Sequence, residues 1–235
     1  MLLYIMNKNL NLGEYMNNTL EKTNYQSIEI NSVLKNTYLL LGATLCFSAF
    51  ASWIAVQMNV PMMNPFIMLG VYFLLLFLVH KTANSSLGIL VTFAFTGWLG
   101  FTLGPVLSHY LTIPGGDKII AQALGGTALL FFSLSGYVVI KKPDMSKALP
   151  FIAIGLLVAF VMSLVNFFFL NMPLLSVVVS AVFLILSSAL LMWQTSAIVN
   201  GGEKNYIMAT ITIFVSLYNI FVSLLQLFSF FGGDD

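Results

Sequence analysis

Long apolar runs separated by short polar breaks set the pattern of this chain. No Asp, Glu, Lys or Arg interrupts residues 36–80, 82–116, 119–140, 148–202 or 205–233. Each run is long enough for one or two bilayer crossings at about 20 residues apiece. Turn-forming residues divide the longer runs, so the pattern predicts an all-α membrane protein of seven transmembrane helices. The spans fall at about 36–58, 65–79, 87–110, 119–140, 148–170, 174–199 and 206–231. The second is short for a crossing and ends at His80 and Lys81.

The seventh span carries the most informative polar pattern. Thr212, Ser216, Asn219, Ser223 and Gln226 recur at intervals of four, three, four and three, which places all five on one helical face. An amide or hydroxyl in hydrocarbon without a partner costs a few kcal/mol. The stripe is therefore expected to face other helices or internal water, and the last helix is expected to be central. Span three holds Thr96, Gly97, Gly100 and Gly104, and span four holds Gly125, Gly126 and Thr127, small residues that let a neighbouring helix approach closely. Gly104-Pro105 is expected to break or kink span three near its outer end.

Composition supports the membrane reading. Charged residues make up 7% of the 235 positions, against about 25% in a soluble domain. All nine basic residues are Lys, and no basic tract suggests nucleic acid. Residues 1–35 are polar, with seven Asn, and read as a disordered cytoplasmic tail without a cleavable leader; Met6 and Met16 leave its true start open. With seven spans, the tail and the loops after spans two, four and six hold eight Lys, whereas the other side holds only Lys118. The positive-inside rule then puts the amino end in the cytoplasm and the carboxyl end in the periplasm. Cys46, the only cysteine, reads as a small packing residue, and neither a disulfide nor a Cys-based metal site is expected.

The segments KTAN (81–84), FAFTGWLG (93–100), LGP (103–105), ALGGTAL (123–129), SAVF (180–183), NGGEKNYIMAT (200–210) and VSLYNIFVSLL (215–225) resemble the Bax inhibitor family. The resemblance runs from about residue 33 to the end and is closest to its bacterial branch of FtsH protease modulators. It implies a seven-helix fold with the last helix enclosed by the other six. It implies a regulator of the bacterial inner membrane that associates with FtsH, restrains its action on membrane proteins, and is itself pulled from its cytoplasmic tail. For other relatives it implies a proton-sensitive calcium leak governed by two facing aspartates. Those two positions fall on Gln194 and Ser216, neither of which ionises, so a leak with that pH switch is not expected here.

Gln194 shares a face with Ser187 and Ser180 and is expected to meet the Ser216 and Asn219 face, with Asn166 joining the same network. Interhelical hydrogen bonding is the plain reading of these residues, and an ion or proton site the functional one. His80 and Lys81 read as interfacial residues, with pH sensing or headgroup binding as the alternative. Glu203 and Lys204 read as a solvated pair, with a partner contact or gate latch as the alternative. His109 and Ser108 point to different helix faces, and no nucleophile, base and orienter set is found. No enzyme activity, cofactor or metal is expected.

Overall fold

The structure, a computed structural model, describes the backbone of residues 2–232 and the side chains of residues 28–232. Seven long helices make up the fold: α1 (Leu2–Gln57), α2 (Pro65–Thr82), α3 (Leu87–Thr112), α4 (Gly116–Lys141), α5 (Leu149–Val165), α6 (Pro173–Val199) and α7 (Tyr206–Phe231). A 3-10 turn at Ser146–Ala148 leads into α5, and a π-helical turn at Asn166–Leu170 closes it. Among the described residues, seven segments are long and apolar enough to cross a membrane, the first of them Ile28–Gln57.

The first span therefore starts earlier than the charge pattern indicated. Residues 28–35 continue α1, Val33 is buried in the core, and Leu34 packs against it. Two apolar anchors one residue apart outweigh the polar neighbours that made this stretch resemble tail. As for a loose tail over residues 1–27, the side chains there lie outside the described residues.

The most buried span is α7, and it packs against α6, α4, α1 and α3. The remaining two, α2 and α5, lie mainly on α3 and α6 as outer helices, with few buried residues of their own. The last helix is central, with four helices rather than six making its main contacts. Phe214, Ile213, Ile220 and Leu225 on α7 are nearly inaccessible and join Phe95, Leu191 and Leu41 in one apolar core.

The tightest seam joins α1 and α3. A methyl added at Gly100 would overlap the carbonyl oxygen of Ser48, and one at Gly104 would overlap Cβ of Ala55. The backbones meet because these positions carry no side chain. Pro105 sits inside α3 and does not end it, so the predicted break is absent. Cys46 is exposed on α1 and is not the packing residue expected, since small size alone does not tell which way a helix faces. Gly125 meets nothing within 4 Å, so the cluster on α4 contributes closeness only through Gly126, which faces Leu224 of α7.

These contacts give a direct test. Gly100→Ala should lower the thermal unfolding midpoint in detergent, at a cost of ~1–3 kcal/mol from overpacking, although Ala is the better helix former. Gly125→Ala should leave the midpoint unchanged or raise it. Equal midpoints for the two variants would mean that α1 and α3 do not meet as described.

Candidate functional site

Two members of the α7 polar stripe are answered from within their own helix. Thr212 Oγ1 donates to Met208 O at 3.0 Å, and Ser216 Oγ donates to Thr212 O at 2.8 Å. A hydroxyl that bonds the carbonyl one turn back needs no neighbouring helix. Ser216 is fully buried, and its hydroxyl is satisfied without an interhelical bond.

Gln194 is 1% exposed, and its Nε2 has no hydrogen-bond partner among the described residues. Ser187 Oγ, one step along the same α6 face, also lacks one. The expected bond from Gln194 to Ser216 or Asn219 is not made, and Gln194 and Ser216 carry neither a charge nor a shared hydrogen bond. Further along α6, Ser180 Oγ donates to Gln226 Oε1 and links α6 to α7.

Asn166 does not reach α7 by hydrogen bonds. Its Nδ2 donates to Ser176 Oγ at 2.7 Å and to Met172 O at 3.2 Å, while its Oδ1 accepts from Met172 N at 3.0 Å. One buried amide thus pins the α5–α6 turn, where Asn171 adopts φ 49°. Beside this turn a cavity of about 470 Å³ opens between α5, α6 and α7, with Asn166, Asn219, Ser223 and Gln226 in its wall. Asn219 is half-buried and lines this space.

At the other end of the bundle, side chains staple the turns together. Asn205 caps α7 by accepting from Ile207 N at 2.9 Å and Met208 N at 3.1 Å. Its Nδ2 donates to Ala83 O at 3.0 Å and Asn84 Oδ1 at 2.8 Å in the α2–α3 turn. Ser196 Oγ donates to Pro143 O at 2.6 Å, and Asn200 Nδ2 reaches the same carbonyl at 3.2 Å. In that α4–α5 loop the Ser146 N–H donates to Asp144 at 2.9 Å and, with Lys147 nearby, holds its carboxyl below the usual carboxylate range. The Asn that precedes Tyr206 was readable as an N-cap position, a signal the charge-centred reading passed over.

Glu203 and Lys204 do not pair with each other. Glu203 Oε1 accepts from Asn205 N at 2.8 Å, and Lys204 Nζ meets Glu29 Oε2 of α1 at 3.2 Å. Both partners of that ion pair are well exposed, so it adds at most ~1 kcal/mol. His80 and Lys81 are exposed at the end of α2. Among the described residues no cluster of His, Cys, Asp and Glu could hold a metal ion.

The two amides should respond oppositely to the same change. Asn166→Leu strips partners from Met172 N and Ser176 and should destabilise by ~1–3 kcal/mol, read as a lower unfolding midpoint in detergent. Gln194→Leu removes a buried donor that has no acceptor and should be neutral or stabilising. A large loss on Gln194→Leu would show that its amide has a partner after all.

Comparison with known proteins places this arrangement. The profile of the family described as "Inhibitor of apoptosis-promoting Bax1" matches residues 30–233. An uncharacterised protein of Pseudomonas aeruginosa is 47% identical over 207 residues, covering 88% of this chain and 93% of that one. The "Modulator of FtsH protease YccA" of Escherichia coli K12 is 44% identical over 207 residues, covering 88% of this chain and 94% of its own. The "Inner membrane protein YccA" of Escherichia coli O6:H1 matches to the same extent. With a profile that spans the whole transmembrane bundle and relatives this similar across nearly their full length, the chain belongs to the Bax inhibitor family.

Proposed function

We propose that the protein is a multi-pass regulator of the bacterial inner membrane that binds the FtsH protease and limits its degradation of membrane proteins. The carrying observation is the 44% identity, over nearly the full length of both chains, to a protein named as a modulator of FtsH. The uncharged pair at Gln194 and Ser216 supports a regulatory role over a pH-switched leak, because an amide and a hydroxyl do not titrate in the physiological range.

In this reading the amino end and the stapled turns lie in the cytoplasm and the carboxyl end in the periplasm. Eight of nine Lys then sit on the cytoplasmic side. Residues 1–27, polar and outside the first apolar span, offer a protease on that side a segment to grip. The exposed His80, Lys81 and Lys204, together with Glu203, form the surface on which a cytoplasmic partner would bear. The second reading, a cation leak, rests on the polar cavity beside α7, but no charged side chain lines it. Calcium flux in proteoliposomes would be needed to revive it.

Affinity capture of the full chain from native membranes should recover FtsH, and overproduction should lengthen the half-life of a membrane substrate of FtsH at least twofold. No recovery together with an unchanged half-life would remove the proposal. The orientation has its own check. A carboxy-terminal alkaline phosphatase fusion should be active, and an inactive fusion of normal abundance would reverse the topology.

A further inference from the structure

Both α5 and α7 pack along α6, but they share no extended seam with each other. The space this leaves is the cavity of about 470 Å³, which runs from the α5–α6 turn at Asn171 down to Phe183. From Pro173 to Phe183 the helix rises about 15 Å, which is half the hydrocarbon thickness, so the groove occupies a single leaflet. It is too small for another helix, whose diameter with side chains is about 10–12 Å, and lies within the range of small-ligand sites.

The two kinds of wall differ in chemistry. Asn219, Ser223 and Ser163 line the space with polar side chains, beside the pairs Ser180 with Gln226 and Asn166 with Ser176. Ser223 is 4% exposed, so its side chain belongs to the interior of the groove and not to its mouth. Phe183, Val222 and Val179 supply the apolar wall. No Asp, Glu, Lys, Arg or His lines the space, and a charged ligand would find nothing to neutralise it.

We propose that this groove binds an uncharged amphiphile, whose hydroxyl or amide group bonds Asn219 and Ser223 and whose acyl chain lies along Phe183 and Val222. The occupant enters from the leaflet beside the α5–α6 turn, where Phe167 and Met172 are exposed at the rim. At that depth water is scarce, so a polar group carried on an acyl chain is the partner that reaches Asn219 and Ser223. This site is independent of the regulatory reading above and stands or falls without it.

The test uses the full chain in phospholipid nanodiscs with a monoacylglycerol that carries a diazirine in its acyl chain. After irradiation, label should concentrate in the segments 163–183 and 219–226 and fall at least fivefold in Ser223→Leu. Ser163→Leu fills the groove from its half-buried α5 side and should produce the same fall, which keeps the test alive if the deeper variant misfolds. A fatty acid with the same diazirine chain should label all lipid-facing helices without enrichment. Even labelling by the monoacylglycerol, indifference to both substitutions, or equal enrichment with the carboxylate would overturn the proposal. Displacement of the label by free glycerol would assign the groove to a soluble polyol and overturn it as well.

Discussion

A polar group at membrane depth must find its hydrogen bond inside the protein, because hydrocarbon offers none. This chain meets the requirement mostly by the shortest route. Thr44, Thr92, Thr96, Thr127, Thr195, Thr210, Thr212 and Ser216 all bond carbonyls three or four residues back in their own helices. Hydroxyls satisfied locally leave helix faces free to pack by shape. The central position of α7 follows from its apolar contacts on several sides, with Thr210 Oγ1 to Thr37 O at 3.3 Å as a minor tie to α1.

Shape complementarity then depends on where side chains are missing. At Gly100 and Gly104 the backbone of α3 lies against α1, an approach that dispersion forces reward in a medium where burial of apolar surface drives nothing. The outer helices α2 and α5 present large apolar side chains outward, Phe73 and Phe77 on one and Phe151 and Ile154 on the other, as lipid-facing surfaces require. The stacked rings of Phe66 and Phe168, 5.2 Å apart, connect the start of α2 with the end of α5.

Much of this was legible in the chain because hydropathy and charge act locally. The seven spans, the buried stripe of α7 and the close approach at Gly100 and Gly104 follow from residue type and helical spacing alone. What depends on the rotation of one helix against another was not legible. Gln194 and Ser216 occupy faces that spacing made compatible, yet they do not bond, and Cys46 faces outward despite its size. Asn166 was expected to bridge helices and instead pins a turn, because a π-helical turn and a left-handed Asn171 bring Met172 and Ser176 back to it. The groove arises from the divergence of α5 and α7, a tertiary feature with no local signature.

The staples around Asn205, Ser196 and Asn200 all lie at one end of the bundle, whereas at the far end Ser180 and Gln226 bond α6 to α7. Such a molecule is anchored like a fan held at its base. Any rearrangement that parts α7 from α6 must pivot about the fastened turns and spread at the opposite rim, so the first surface to widen is the one beside the α5–α6 hairpin.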